Sequence, residues 1–334
     1  MTPLLQPGVW GGIVGQAAAV GLLQRAIALD RLAHAYAFVG PSGVGRRLTA
    51  VAFAQAALCA ARGCGTCAVC RRVAVGQYPD CQIIAPTPPR DNPKGAPMIR
   101  IEQVRELERT AALAPLEGGR KVFVLDDAER MTLPTAQALL KTLEEPPPRT
   151  HLVLIIANPR ALPPTVLSRC QHVRFRPLDE AATGRLLVGR GVPPDASELL
   201  ARLMQGRPGL ALGTDLQALR TRRETALALA AEPPARLGVA LDGVPTDRAT
   251  VAMYLELYWS WYRDALCLAA GGSATLLVNA DQETALRALA ARLPAPAIAT
   301  ALARVKAAWV ALEGNVNPRL ALETALLGLG GAAA

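Results

Sequence analysis

Residues 121–127 read KVFVLDD, an apolar run of β-branched and aromatic side chains that ends in two carboxylates. Such a run is typical of a strand that is buried on both faces, as in a parallel sheet. In open α/β sheets, ligands bind just beyond the carboxyl ends of the strands, so Asp126 and Asp127 can face a metal-bound phosphate. The stretch therefore predicts an α/β fold with a binding site at this strand end.

The next fifty residues repeat this alternation of strand and helix. Apolar residues at 136, 139, 140 and 143 predict an amphipathic helix, which the prolines at 146–148 end. A second buried strand is predicted over 151–157, closed by Asn158, and a third strand-like run covers 172–175. Each predicted strand is followed by a polar group, which favours a site along one edge of the sheet.

Three runs resemble the ATPase core of bacterial clamp-loader subunits: KVFVLDD (121–127), ALLKTLEEPP (138–147) and SRC (168–170). These subunits are AAA+ proteins that open the sliding clamp of DNA polymerase III, and the triplet Ser168-Arg169-Cys170 is the most specific of the three matches. The resemblance implies an AAA+ nucleotide-binding-like α/β domain over 1–176, with a parallel sheet, flanking helices and a zinc module at 59–70. It further implies a small helical lid domain over 177–215 and an all-α collar domain for oligomerisation over 216–334.

The composition agrees with a chain of more than one domain. The 334 residues are 51% apolar and 19% charged, which is enough to bury a sizeable core. No run approaches the ~18 uninterrupted apolar residues of a membrane span, and the N-terminus lacks a signal-peptide pattern. We therefore expect a cytoplasmic protein without a membrane partner. The net charge of +9 permits contact with nucleic acid or an acidic partner, but it is equally typical of a solvated surface.

A modified phosphate loop follows the predicted strand at 36–39. The run GPSGVGRR (40–47) has the spacing Gly-x4-Gly-Lys-Ser/Thr, in which Gly40, Gly43 and Gly45 let backbone N–H groups turn toward phosphates. Arg46 replaces the lysine, and Arg47 replaces the hydroxyl residue that ligates Mg²⁺. A guanidinium cannot ligate a metal and would repel it. We expect no ATP hydrolysis at this loop, and ATP binding is left open.

Other positions depart from active relatives in the same direction. The resemblance places a glutamate that orients the attacking water where this chain has Asp127, and a lid arginine where it has Gly209, with Arg207 nearby. Asn158 matches the polar sensor position of the family and is not a departure. Together with Arg47, the departures at Asp127 and Gly209 predict a degenerate nucleotide site. The segment Val14-Gly15-Gln16 resembles one that lies near the adenine in such proteins.

Four cysteines with short spacings predict a metal site: Cys59, Cys64, Cys67 and Cys70. Four thiolates suit tetrahedral Zn²⁺ and leave no open position for catalysis, so the predicted zinc is structural. Gly63 and Gly65 give the backbone the freedom to wrap around an ion. Free buried cysteines and an iron–sulfur cluster are the alternatives. Clamp-loader relatives carry a similar four-cysteine zinc module.

Arg169 is the candidate catalytic residue. The resemblance implies that the Ser-Arg-Cys arginine acts in trans, reaching a neighbour's ATP to stabilise charge on the γ-phosphoryl group. From the residues alone, an ion pair with a local acid explains Arg169 equally well.

The implied function is that of a non-hydrolysing stator in a hetero-pentamer with γ/τ and δ clamp-loader subunits, acting on the sliding clamp and primer-template DNA. Two alternatives remain: an active γ/τ-type ATPase, and a zinc-containing DNA-binding protein outside replication.

Overall fold

The computed structural model describes residues 8–89, 95–117, 119–212, 214–314, 316–327 and 329. The chain divides into two compact units. The first contains the chain up to Gly191 together with Gly206–Leu212, and the second contains Val192–Gln205 and the chain after Leu212. Residues of the predicted lid are thus shared between both units, and a separate lid domain stays a prediction.

A five-stranded parallel sheet forms the centre of the first unit. Its strands are β1 (Ala35–Val39), β2 (Cys81–Ile84), β3 (Lys121–Leu125), β4 (Thr150–Ile156) and β5 (Gln171–Arg174). They pair in the spatial order β2-β3-β4-β1-β5, and every pair is parallel. The predicted α/β architecture with a buried parallel sheet is confirmed, and every residue of β3 and β4 is buried.

Helices cover both faces of this sheet. In chain order they are α1 (Ala17–Ala28), α2 (Arg46–Leu58), α3 (Ala68–Ala74), α4 (Ile101–Ala112), α5 (Leu133–Glu144), α6 (Pro164–Leu167) and α7 (Glu180–Gly189). Successive strand residues point to opposite faces. Accordingly, Tyr36 and Phe38 belong to a core on one face of the sheet, together with residues of α1 and α2. Phe123 and Leu125 belong to a second core on the other face, together with residues of α4 and α5.

In the described residues of the second unit, all regular secondary structure is helical. Its helices are α8 (Pro194–Leu203), α10 (Leu216–Ala231), α11 (Pro234–Asp242), α12 (Arg248–Ala269), α13 (Glu283–Arg292), α14 (Ala295–Glu313) and α15 (Pro318–Leu327); α9 (Pro208–Ala211) belongs to the first unit. Trp261 and Tyr262 of α12 are buried in its core, whereas Trp259 is 40% exposed. The predicted all-α region is confirmed for this part of the chain, and residues 330–334 of the predicted collar lie outside the described residues.

One described helix segment, Ala295–Leu312 of α14, is long and apolar enough to cross a membrane by length and composition. Ile298, Leu302 and Val305 of this segment are buried in the core of the helical unit. The core helix of a folded domain passes the same test, and this packing is typical of such a helix.

Candidate functional site

The predicted phosphate loop connects β1 to α2 and has the backbone geometry of an anion cradle. Gly43 and Gly45 have φ angles of +83° and +97°, which side-chain-bearing residues rarely adopt. Gly40 donates its backbone N–H to the carbonyl oxygen of Ile156 in β4 at 3.2 Å. The first N–H groups of α2 have no acceptor within the helix, so they are available to a ligand.

A cavity of about 510 Å³ opens beside this loop. The loop residues 42–47 and the strand-end carboxylates Asp126 and Asp127 form its polar side. The rest of the lining contains Arg190 and a set of apolar residues that includes Ile13, Val14, Ile155, Leu178, Leu186 and Leu212. A polar cradle beside an apolar wall is suited to a small molecule with a charged and an apolar end.

Buried Gln16 fixes one side of the cavity. Its side-chain N–H₂ donates to the carbonyl oxygens of Val44 at 3.2 Å and Arg176 at 2.7 Å, and its Oε1 accepts the N–H of Arg176 at 3.2 Å. The amide thereby ties the Val14–Gln16 segment to the loop and to the end of β5. Of this segment, Val14 lines the cavity.

Arg47 and Asp126 form an ion pair across the mouth of this site, with 3.0 Å between Nη1 and Oδ2. The Arg47 side chain is 62% exposed, and that of Asp126 is 15% exposed. Burial raises the pKa of Asp126, and the positive charge of Arg47 opposes this rise. The guanidinium therefore contacts the same carboxylate that a metal ion would need as an outer ligand.

Arg46 is the first residue of α2 and is only 5% exposed. Its Nη2 donates to Ser42 Oγ at 3.3 Å, whereas its Nη1 has no hydrogen-bond partner. Among the carboxylates, Glu129 has the largest charge effect on Arg46, ahead of Asp127 and Asp126. The buried cation is thus only partly compensated by its surroundings.

Glu129 is a site residue that the sequence reasoning missed. Its Oε1 accepts the N–H of Ala157 at 2.9 Å, its Oε2 is buried without a partner, and burial raises the pKa of the carboxyl group. The one sequence signal for this residue is its place just after the acidic end of β3.

The other predicted site residues take local roles. Asp127, with φ of +46°, precedes the 3₁₀ helix Ala128–Arg130, and its Oδ2 lies 3.8 Å from Nε of Arg130. Asn158 Oδ1 accepts the N–H of Arg160 at 3.2 Å and caps a 3₁₀ helix, and the residue is not among those that line the cavity.

Gly209 packs directly on the loop. Its N–H donates to the carbonyl oxygen of Gly43 at 2.8 Å, and a Cβ at position 209 would lie 2.9 Å from that oxygen. Any side chain here would displace the loop backbone. The contact explains why a glycine is required at the position that the resemblance assigned to the lid arginine.

The four predicted metal ligands lie together, all sulfur atoms within 4.8 Å of one another. Cys59 Sγ is 3.8 Å from Cys64 Sγ and 3.6 Å from Cys67 Sγ. Tetrahedral zinc with Zn–S bonds of about 2.3 Å requires sulfur separations of about 3.8 Å. The donor set therefore fits a tetrahedral, thiolate-binding ion, and Cys59 is as close as the other cysteines.

The backbone around the cysteines favours thiolates. Gly63 and Gly65 have φ angles of +95° and +81°, the conformational freedom predicted for them. Backbone N–H groups of Thr66 and Cys67 lower the pKa of the Cys64 thiol to about 6. Burial instead raises the pKa of the Cys70 thiol, so this sulfur ionises readily only beside a positive charge such as a metal ion.

Arg169 follows α6 and is paired within its own chain. Its Nη2 lies 2.6 Å from Oε1 of Glu144, and its Nη1 donates to the carbonyl oxygen of Thr165 at 2.9 Å. The Arg169 side chain is 36% exposed and that of Glu144 is 50% exposed. The local ion pair considered from the sequence is present, and the side chain remains within reach of solvent.

Two family models match the chain: one described as DNA polymerase III, delta subunit, over residues 15–179, and one described as DNA polymerase III, delta subunit, C terminal, over residues 215–330. The chain belongs to the DNA polymerase III delta-subunit family. The first match contains the loop, all four clustered cysteines and Arg169.

Individual relatives agree with this family. The chain is 39% identical to DNA polymerase III subunit delta′ of Pseudomonas aeruginosa over an alignment of 176 residues, which covers 52% of each chain. It is 34% identical to DNA polymerase III subunit delta′ of Bacillus subtilis over 185 residues, which cover 54% of each chain. It is 31% identical over 232 residues to DNA polymerase III subunit tau/gamma of Haemophilus influenzae, covering 66% of this chain and 32% of that protein. The matches to the two delta′ subunits span about half the length of those relatives.

Among solved structures, a DNA polymerase III gamma subunit-related protein from Thermotoga maritima aligns with 93% of this chain and 99% of its own. Its sequence identity is 17% and its TM-score is 0.44.

Proposed function

We propose that the chain is a stator subunit of the delta′ type in a bacterial clamp loader, supporting ATP-driven loading of the sliding clamp onto primed DNA. Family membership supports a role within DNA polymerase III, and identities of 34–39% to delta′ subunits support the subunit type. Its partners would be γ/τ and δ subunits in a hetero-pentamer, the sliding clamp and primer-template DNA, all in the cytoplasm.

The observation that carries the non-hydrolysing role is the ion pair between Arg47 and Asp126. In a working phosphate loop, a hydroxyl at position 47 and the carboxylate at position 126 would both serve Mg²⁺, which neutralises charge on the transferred phosphoryl group. Here the guanidinium occupies the carboxylate and brings a positive charge that repels a divalent cation. Asp127, at the position of the water-orienting glutamate, has φ of +46° and lies near Arg130.

Arg169 would then act on a neighbouring ATPase. Its contact with Glu144 is a partly exposed ion pair, which typically contributes only about 0–1 kcal/mol. A γ-phosphate offers stronger, charge-assisted hydrogen bonds than a solvated carboxylate, so the guanidinium can exchange Glu144 for phosphate at small cost. Until that exchange, Glu144 and the carbonyl of Thr165 hold the side chain in an ordered position.

The cysteine cluster supports a structural Zn²⁺. Four thiolates close the coordination sphere, so the ion would stabilise the segment between α2 and α3 and would supply no catalytic chemistry.

The first experiment is Mg²⁺-dependent ATP hydrolysis by the purified chain alone, with and without primed DNA. We expect no turnover above background. Clear turnover would overturn the stator role and favour an active γ/τ-type ATPase, which is the second candidate because the chain also matches tau/gamma relatives.

The trans role of Arg169 is tested in a reconstituted clamp loader that carries Arg169→Ala. The matched control is Arg160→Ala, which removes an exposed arginine of the same unit. We expect Arg169→Ala to lower the DNA-stimulated ATPase rate of the complex by at least about tenfold, within the range of known arginine fingers. Assembly should be retained, because loss of a surface ion pair costs less than about 1 kcal/mol. Equal ATPase rates for the Arg169→Ala and Arg160→Ala complexes would contradict the trans role of Arg169.

A further inference from the structure

The helical unit contains a second cavity, of about 400 Å³, far along the chain from the phosphate loop. Residues of α10, α12 and α13 line it, and we call it the α13 cavity. Its volume lies within the range of small-molecule sites, about 300–1,000 Å³. On the α13 side it is open to solvent, since Ala285, Ala288 and Arg292 are exposed.

Most of the lining is apolar. Small side chains of α10 and α13 leave room beside the large rings of α12; they are Ala230, Ala231, Ala285 and Ala288. Leu227 and Leu289 complete the apolar wall, and both pack against the core of the helical unit. An apolar ligand body therefore loses contact with water when it enters, which favours binding.

Two aromatic side chains of α12 bring unused hydrogen-bond donors to the α13 cavity. Trp261 is 8% exposed and Tyr262 is 4% exposed, yet neither the indole N–H nor the phenol O–H has a hydrogen-bond partner in the described part of the chain. One turn earlier, the hydroxyl of Tyr258 donates to the carbonyl oxygen of Ala226 at 2.8 Å. Buried Trp and Tyr side chains usually have such a partner, so its lack beside a cavity indicates a polar ligand group.

Arg292, in the last turn of α13, gives the site a positive charge. Burial raises the pKa of Tyr262 to about 12, and the charge of Arg292 opposes this rise, so the guanidinium acts on the phenol group. A guanidinium has five N–H donors, so Arg292 can keep its interaction within the chain and still bind a carboxylate. Among the described residues, none that lines the cavity is acidic, so the site favours an anion.

We propose that the α13 cavity binds a small carboxylate with an apolar body, of the class of medium-chain fatty acids. The carboxylate accepts hydrogen bonds from Arg292 and Tyr262, and the apolar body lies against Leu227, Leu289 and Trp261. A cationic ligand with the same body is disfavoured because Arg292 repels it. The proposal concerns the helical unit alone, and it is independent of the stator role, the phosphate loop and the cysteine cluster.

The test is equilibrium dialysis of octanoate against the purified full chain at about pH 7, where the ligand is ionised. Octanol and octylammonium have the same chain and differ only in the head group, so they are the matched ligands. We expect saturable binding of about one octanoate per chain, at least about tenfold tighter than the binding of octanol or octylammonium.

The decisive variant is Arg292→Gln, which should weaken octanoate binding by at least about tenfold and abolish the preference for octanoate over octanol. Arg287→Gln is the matched control, since it removes an arginine of the same helix that is 60% exposed and pairs with Glu283. It should bind octanoate like the wild type.

Tyr262→Phe isolates the hydroxyl, because it keeps the buried ring. It should weaken octanoate binding by about threefold or more, through the loss of one hydrogen bond. Circular dichroism of both variants should match that of the wild type, since Arg292 is exposed and the ring at position 262 is retained.

Three results would each overturn the proposal: uptake of octanoate that does not saturate, octanoate binding no tighter than that of octanol, or equal octanoate affinities for Arg292→Gln and Arg287→Gln. The assay contains no ATP, DNA or partner subunit, so its failure would leave the stator role standing. Turnover of ATP by the chain would in the same way leave this proposal standing.

Discussion

At the scale of single residues, the degenerate site differs from an ordinary phosphate loop in the number and the pairing of its charged side chains. Arg46 and Arg47 bring two cations to a loop that ordinarily has one, while Asp126, Asp127 and Glu129 face them. Asp126 is paired with Arg47, but Oε2 of Glu129 is buried without a hydrogen-bond partner. Glu129 is therefore a carboxylate whose ionisation should weaken the folded state without compensation from an ion pair.

Glu129→Gln tests that expectation through the pH dependence of stability. Burial raises the pKa of Glu129 above its ordinary value of 4.5, so in the window above 4.5 the folded state holds the proton more tightly than the unfolded state. The wild type should therefore lose stability relative to Glu129→Gln as the pH rises from about 4.5 through the folded-state pKa. Below this window both states carry a neutral carboxyl group, and the difference becomes constant.

The measurement is urea unfolding of both proteins between about pH 4.5 and about pH 7. Glu102→Gln, which removes an exposed carboxylate on α4, controls for the loss of one negative charge. Parallel stability curves for the wild type and Glu129→Gln would show that burial does not shift this carboxyl group.

At the scale of elements, the sequence predicted those helices and strands whose positions follow from the local spacing of apolar residues. The apolar runs located β3, β4 and β5 to within one residue at their starts, and the spacing at 136–143 located α5, because burial on a sheet or on one helix face imposes those periods. The phosphate loop and the cysteine cluster could also be predicted, because each is formed by residues that lie close together in the sequence.

Contacts between distant segments could not be predicted in this way. Arg47 and Asp126 are 79 residues apart, and the contact of Gly209 with Gly43 depends on how α9 packs on the loop. The partner of Arg169 was anticipated only as an unnamed acid, because nothing in the sequence near Glu144 distinguishes it from Glu145. Such pairs depend on how the whole unit packs, and the local spacing of residues in the sequence gives no information on that packing.

The segment between α2 and α3 should depend on its metal ion for stability. We expect about one zinc per chain by elemental analysis, since the separations between the sulfur atoms fit one tetrahedral ion. Removal of the ion by a competing chelator should lower Tm by at least about 5 °C, because metal that binds only the folded state stabilises it.

Cysteine variants separate this site from general thiol effects. Cys67→Ser should lose zinc and show the lower Tm, whereas Cys267→Ser, in the helical unit, should retain zinc. A chain that melts at the same temperature after complete removal of its metal would contradict a stabilising role.

At the scale of the whole molecule, the two compact units have separate cores, which predicts more than one unfolding step. In the helical unit, Asp264 is fully buried and accepts the backbone N–H groups of Val278 at 3.2 Å and Asn279 at 2.7 Å. This carboxylate joins α12 to the segment that precedes α13. Without it, two buried donors would lose their acceptor.

Asp264→Ala should therefore destabilise the helical unit by about 2–4 kcal/mol and leave the sheet unit nearly unchanged. Three of the four tryptophans (Trp259, Trp261 and Trp309) lie in the helical unit, so the fluorescence transition in urea should move to lower concentration. Amide hydrogen exchange in peptides from β3 and β4, followed by mass spectrometry, should keep its wild-type protection. Because the two readouts follow different units, their behaviour decides whether the units unfold separately. If fluorescence and strand protection shift together, the molecule unfolds as one cooperative body, and the separate cores do not define separate folding units.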